Sequence, residues 1–324
     1  MSKLVVDSIG PASSVQDGGR PGSQRYGLVP SGAMDRLALR AANLLVGNPE
    51  NAAVLEASFL GPELEFTVDA TVAVTGAELP PKVDGAERAS WTSFAVRKGQ
   101  TLSFAFLKAG ARAYIAVSGG IDVPLALGSR STYTLGALGG FKGRKLEAGD
   151  ELPLGAGAGA PEGRTIPRAL RRGPGSPAVL RMMPGLYWHR ITEAAGKHFF
   201  TDTWKVAPEA DRIGYRFRGG KPLEFVPREP PFGAGSDPSN IVDACYPYGS
   251  VQVPSGAEPI VLHRDAVSGG GYFMIGTVIS ADLDLIAQLQ PHAPAAFTAV
   301  TMDQALAARH ERQKRLAEIR AQLN

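Results

Sequence analysis

Residues 66–75 read FTVDATVAVT, and the fold class turns on them. Phe66, Val68, Ala70, Val72 and Val74 alternate with Thr67, Asp69, Thr71, Ala73 and Thr75. Successive side chains of a strand point to opposite faces, so this alternation predicts one half-buried strand. The rhythm returns at Leu102, Phe104 and Phe106, and again at Ala113, Ile115 and Val117. Gly76, Pro80, Pro81, Gly99 and Gly110 punctuate these runs at spacings suited to a sandwich or barrel. With 39 Gly and 25 Pro in 324 residues, many turns are needed, which favours short strands over long helices. The expected fold is mainly β.

One helix interrupts the first half. Residues 33–46 place Met34, Leu37, Ala41, Leu44 and Leu45 at helical spacing, with Ser31 as the expected cap and Gly47 and Pro49 as the stop. The second half returns to strands at 179–182, 215–217, 251–253, 259–263 and 272–279, with a short helix expected at 281–289 after Ser280. Between the halves, residues 155–178 are rich in Gly, Ala, Pro and Arg and carry no apolar period. The expected organisation is an N-terminal β domain over 1–160, a linker at 161–178, a C-terminal β domain over 179–302 and a solvated terminal helix over 303–324. Two strings recur: VPSGA at 29–33 and 253–257, and AVSGG at 116–120 and 266–270. Their offsets differ, so they are no tandem repeat, but they hint that each half builds similar tight turns.

Composition narrows the function classes. A net charge of +3, with much of the excess in Arg309–Arg320 and no basic stripe interleaved with aromatics, argues against nucleic-acid binding. A single cysteine, Cys245, allows no internal disulfide and fits a reducing compartment. No apolar signal core opens the chain, and no run approaches the ~18 to 20 apolar residues that span a bilayer. The expected location is cytoplasmic, away from membranes. The five histidines never pair at metal-ligand spacing, so no metal site is expected. Neither a P-loop string nor a G-x-S-x-G elbow occurs.

Gly-rich loops carrying charge remain as candidates. Residues 16–22, QDGGRPG, precede a helix start and would suit an anion or serve as a turn with an Asp17–Arg20 pair. Ser118, Gly119 and Gly120, followed by LGSRSTY at 127–133, could cradle a carboxylate or phosphate, or form hairpin turns. Arg212 and Arg216 flank the start of a strand. Gln252 lies in VQVPSG, and His263, Arg264 and Asp265 end a strand before Gly269, Gly270, Gly271 and Tyr272. A charge at a strand end is costly to bury unless paired or used. Asp265 with an arginine is therefore either a structural pair or part of a site, and His263 either a general base or a satisfied core histidine.

The order of these motifs resembles a known family. QDGGRPG, VPSGAMDRLAL, AANLLVGNPENAAVLE, GPELEF and VTGAE look like the opening of the C-type subunit of 5-oxoprolinase, whose family includes the protein once called allophanate hydrolase subunit 2 and the A–B part of the urea carboxylase carboxyltransferase domain. VSGGIDVP, LGSRSTY, GGFKGRKLEAGD, DRIGYRFRGG, VQVPSGAEPIVL and VISADLDLIAQLQP continue the likeness to about residue 300. The resemblance implies two cyclophilin-like β-barrel domains with a few short helices, and a B-type partner protein of the same family. It also implies one of three activities. The first is ATP-dependent lactam opening with a third component, ATP entering through the complex. The second is carboxyl transfer from carboxybiotin on a separate carrier to a urea or amide. The third is non-enzymic regulation of a kinase. From residue chemistry, Arg212 and Arg216 are expected to hold the anionic group and Asp265 to orient an arginine or take a proton. The substrate-binding set is expected to be Gln252, His263, Gly269, Gly270, Gly271, Tyr272, Ser118, Gly119 and Gly120. His263-Arg264 before Asp265, Ala-Val-Ser after it, and the segment 243–248 depart from the family's usual residues and leave the substrate open.

Overall fold

The protein is described by a computed structural model covering residues 2–157, 159–229 and 231–323. Ala158 in the Gly-rich run and Asn324 at the end of the expected terminal helix lie outside the described residues. The chain divides into two compact units: Met1–Gly22, Pro30–Gly173 and Lys314–Asn324 form one, and Ser23–Val29 with Pro174–Gln313 the other. Both are mainly β, as the alternating patterns predict.

In the first unit the strands form two sheets. One runs Glu151–Pro153, Lys3–Ser8, Glu63–Phe66, Thr101–Phe104, Pro81–Val83, Ala86–Glu87; the other runs Ala12–Gln16, Val54–Ser58, Ala109–Val117, Ala70–Glu78, Ser93–Val96. Leu4, Val6, Leu64, Phe66, Val72, Val74, Ile115 and Val117 belong to one shared core. The decisive stretch 66–75 is not one strand. It ends the strand Glu63–Phe66, turns, and begins Ala70–Glu78 in the other sheet. The turn is fixed by side chains: the Asp69 carboxylate accepts the Lys98 amide at 2.8 Å and the Arg97 guanidinium at 3.0 Å. Parity survives the break, so Phe66, Val72 and Val74 still share a core. The opposite face is not solvated either. Ala73 and Thr75 are fully buried, because the helix Arg36–Leu45 packs there with Leu37, Ala38, Ala41 and Leu45. The Thr75 hydroxyl is satisfied by donating to the Ala38 carbonyl at 2.8 Å.

That helix starts later than its periodicity suggests. Its cap is Asp35, whose carboxylate accepts the Ala38 amide, and not Ser31. Ser31 has a left-handed backbone, φ 49°, inside a turn in which Gly32 lies against the backbone of Gly18 and Gly19. The recurring string VPSGA builds the same turn in the second unit, where Ser255 has φ 50° and Gly256 follows at φ 71°. The other recurrence diverges. Gly119 and Gly120 have positive φ, whereas Gly269 and Gly270 lie in a strand.

The second unit is a closed barrel in the order Ala178–Pro184, Met274–Val278, Ser250–Gln252, Ile260–Leu262, Gly214–Arg218, Trp204–Val206, Pro294–Ala299. It closes through a parallel pairing of Ala178–Pro184 with Pro294–Ala299. Closure leaves no sheet edge unpaired. Trp204, Phe217 and Phe297 are buried, and the helix Glu193–Thr201 adds Phe199, whose ring lies 4.9 Å from that of Phe297. Outside the barrel, Asn240–Cys245 pairs with Gly269–Tyr272 as a two-stranded ribbon. The periodicity expected over 272–279 is therefore split at Phe273 between this ribbon and a barrel strand. The expected helix 281–289 is shorter, Leu283–Ile286. Of the final helix, Met302–Leu323, the first part adds Ala305 and Ala308 to the second unit's packing, and Leu316, Ile319 and Leu323 join the first unit's.

Candidate functional site

A cleft of about 510 Å³ opens in the second unit. Tyr187, His189 and Arg190 line it from the turn Trp188–Arg190 and its approach, Ile241, Val242 and Asp243 from the ribbon, and Val226, Arg228 and Pro231 from the segment between. Its walls are largely apolar and its charge comes from two arginines and one carboxylate. Arg190 is 8% exposed. Its Nη2 donates to the carbonyls of Pro238 at 3.1 Å and Asn240 at 3.0 Å, while Arg228 Nη2 donates to the same Asn240 oxygen at 2.6 Å. Two like charges thus meet on one peptide carbonyl. Among the described residues neither guanidinium has a carboxylate partner, and the Nε of each is buried without a hydrogen bond. Burial, and after it the Arg228 charge, lowers the pKa of Arg190 from its usual value, although guanidinium remains protonated at neutral pH. The Tyr187 ring, 5.7 Å from the Arg190 guanidinium, offers its face to the cation.

The loop that supplies those carbonyls is fixed from below. Asp237 accepts the Ser239 hydroxyl and amide at 2.7 and 2.8 Å and the Ser255 hydroxyl at 3.2 Å, which ties the loop to the VPSGA turn. The Ser239 hydroxyl, then its amide, holds the Asp237 carboxyl below the usual range. Behind the ribbon, the Tyr246 hydroxyl lies 2.6 and 2.7 Å from the carbonyls of Gly270 and Tyr272. Burial raises its pKa. Gln252, buried at the end of its barrel strand, hydrogen-bonds the same hydroxyl.

The residues singled out in the sequence fall into separate places. Arg212 and Asp265 do meet, with Nε–Oδ2 at 2.8 Å and Nη2–Oδ1 at 3.3 Å, reinforced by the Asp265 amide donating to the Arg212 carbonyl. This clip precedes Ala266, which packs with Tyr246, Leu262, Met274 and Tyr187 behind the cleft. The chain then enters the Gly269–Tyr272 strand, whose partner strand lines the cleft. Arg216 is not in that clip. Tyr215 and Phe217 turn inward, so Arg216 and Arg218 point outward and share Glu258 at 2.8 Å each. Arg216 first, and Arg218 after it, holds the Glu258 carboxyl below its usual range. His263 is 2% exposed, with Nε2 3.2 Å from the Leu283 carbonyl and 3.3 Å from the Tyr248 hydroxyl. It packs edge-on to Tyr248, inside the unit and not on the cleft lining. Gly270 and Gly271 are small because the ribbon is tight: a Cβ on Gly271 would sit 2.9 Å from the Ile241 carbonyl oxygen.

The first unit's candidates form internal locks. Gly119 donates its amide to Asn48 Oδ1 at 2.9 Å and Gly120 to the Val117 carbonyl at 2.9 Å, while the Ser118 hydroxyl accepts the Thr71 amide. In QDGGRPG, the Asp17 carboxylate accepts the Gly19 and Arg130 amides and the hydroxyls of Ser129 and Ser131. Arg20, 1% exposed, donates back to the carbonyls of Ser131 and Ala126. Two motifs more than a hundred residues apart are thereby clamped together. The cleft arginines, Arg190 and Arg228, were not among the sequence candidates. Nothing in WHRI or VPRE announces a site, and only the convergence on Asn240 brings them into one.

Residues 26–299 match the family described as the carboxyltransferase domain, subdomain A and B. The chain belongs to that family. Among carboxyltransferase A–B proteins, it is 35% identical to the 5-oxoprolinase C-type subunit of Escherichia coli (strain K12) over 314 residues, 96% of each chain. It is 34% identical to urea amidolyase of Saccharomyces cerevisiae, covering 87% of this chain and 16% of that protein. The crystal structure of the K. lactis urea amidolyase superposes with a TM-score of 0.91 at 31% identity over 98% of this chain. The chain spans about one fifth of that protein's length. The resemblance seen in the motifs is thereby shown, and so is the fold class. No helix among the described residues is long and apolar enough to cross a membrane.

Proposed function

We propose that this chain is the C-type component of an ATP-dependent 5-oxoprolinase-type enzyme, acting with a B-type partner chain to open a lactam. The observation that carries this reading is the likeness to the E. coli 5-oxoprolinase C-type subunit, which is 35% identical over 314 residues.

Lactam opening needs a polarised amide carbonyl, a positioned nucleophile and charge stabilisation as the oxygen becomes anionic. The cleft of the second unit supplies positive charge beside apolar walls, a setting in which a guanidinium acts more strongly than in water. The Arg212–Asp265 clip acts as a positioning pair, holding the base of the ribbon that carries Ile241, Val242 and Asp243 into the cleft. Tyr246 and Gln252 brace the same ribbon from behind. The sequence carries no P-loop string, and the cleft combines two arginines with a carboxylate, which suits a monoanion better than a triphosphate. ATP is accordingly assigned to the complex.

The test is co-expression with a B-type partner and a lactam-opening third component, co-purification, and measurement of ATP-dependent 5-oxoproline turnover. Turnover that requires this chain is expected. An assembled complex that hydrolyses no 5-oxoproline would remove the reading.

A second reading, the carboxyltransferase half of a biotin-dependent urea or amide carboxylase, draws on the family description and the close superposition on urea amidolyase. Carboxybiotin would arrive on a separate carrier. Transfer of labelled bicarbonate to urea, dependent on a biotin carboxylase and carrier, is the outcome that would favour it.

A further inference from the structure

We infer that the cleft in the second unit is a binding site for a small carboxylate monoanion with an apolar body, gripped by Arg190 and Arg228. This deepens the lactam reading by naming what a ring-bearing carboxylate would meet on this chain, and rests on that reading only for the ligand's identity.

Three observations converge on it. Arg190 lines the cleft and is more than nine-tenths buried, and its Nε, itself buried, has no hydrogen-bond partner. Buried guanidinium nitrogens in native structures are ordinarily satisfied, and an orphan calls for a missing partner. Arg228 is brought beside it by the shared Asn240 carbonyl, so two cations stand together where each raises the cost of the other. Three other arginines that are partly buried do meet a carboxylate: Arg144 with Asp150, Arg181 with Asp282, and Arg212 with Asp265. An anion from outside would bring the cleft pair to the same balance. Guanidinium groups meet carboxylates through paired, charge-assisted hydrogen bonds.

The charge count sets the ligand class. The two arginines and Asp243 together leave a formal +1, which matches one negative charge and disfavours a dianion. The remaining walls, Val226, Pro231, Ile241 and Val242, offer hydrocarbon contact to the body of the ligand. A volume of about 510 Å³ admits a small ring with room for water.

The experiment uses the full chain alone, without ATP or partner, and the non-lactam probe cyclopentanecarboxylate, followed by calorimetry and by shifts of arginine Nε–H signals in NMR. Saturable binding is expected, weakened about tenfold or more in Arg228→Gln, since a charge-assisted contact of this kind is worth roughly that factor. Arg228→Lys should retain part of it. Val242 is 56% exposed, so Val242→Asp leaves the fold intact while placing a carboxylate at the cleft, and it should abolish binding. Inorganic phosphate should bind more weakly than the carboxylate. Absence of saturation, equal affinity in Arg228→Gln and Val242→Asp, or tighter binding of phosphate would each overturn the inference. Because no turnover is measured, failure here is separate from failure of the lactam reading: a complex that opens 5-oxoproline while this chain ignores carboxylates would place the substrate on another component.

Discussion

Two pairs of arginines in the second unit make a controlled contrast. Arg212 and Arg216 are each neutralised, by Asp265 and Glu258. Arg190 and Arg228 share a peptide carbonyl and line a cleft, with no carboxylate partner among the described residues. The neutralised pairs hold strands and loops in place. The uncompensated pair stores a charge imbalance that a ligand would relieve. The difference teaches that an arginine's role is set less by its neighbours in the chain than by whether folding hands it a partner.

The contrast breaks most visibly if both cleft charges are removed. Arg190→Met combined with Arg228→Gln should lower cyclopentanecarboxylate affinity by about a hundredfold or more and abolish turnover of the assembled complex. Retained turnover would show that the cleft is not where the chemistry is prepared. Asp265→Ala comes next. It strips the Arg212 clip of a buried, bidentate acceptor and should cost about 2–3 kcal/mol in chemical denaturation. Turnover should fall mainly in kcat as the ribbon loosens, while carboxylate affinity changes little. An unchanged denaturation midpoint would mean that the clip is not structural.

Glu258→Gln is the mild case. Its pairs with Arg216 and Arg218 are partly exposed, so the loss should be under about 1 kcal/mol at neutral pH, with turnover unaffected. The pH dependence has a defined sign. Arg216 depresses the Glu258 carboxyl in the folded protein, so its contribution is complete above the ordinary carboxylate range near 4.5 and fades as pH falls through the lower folded value. Wild type and variant should therefore converge in stability as the pH is taken below that range. A gap that persists in acid would assign the effect to packing.

The same contrast explains which parts of the site are legible from residues alone. The Arg212–Asp265 meeting is readable because a charge at a strand end, ahead of a glycine run, demands a partner. Arg216 groups with it by proximity in sequence, yet strand alternation sends residue 216 outward, between the inward Tyr215 and Phe217. Ser118 to Gly120 look like an anion cradle because glycine amides are often free to meet one, but here Asn48 and Val117 occupy them. His263 is a candidate base by chemistry alone, and burial against Tyr248 and the Leu283 carbonyl makes it part of the core.

By itself the sequence determined the β-rich class, the helix that stops at Gly47, the likeness of the two VPSGA turns and the family motifs. Alternation, helix stops and turn residues act within a few positions, and that information is local. The tertiary structure alone decided that Ala73 and Thr75 are buried under a helix, that the 66–75 alternation bends between two sheets, and which arginines keep an unmatched charge. Those outcomes depend on segments far apart in the chain: Asp265 is 53 positions from Arg212, and Asn240 is 50 from Arg190. Coulomb attraction and desolvation act through space, so they become readable only once the chain has folded.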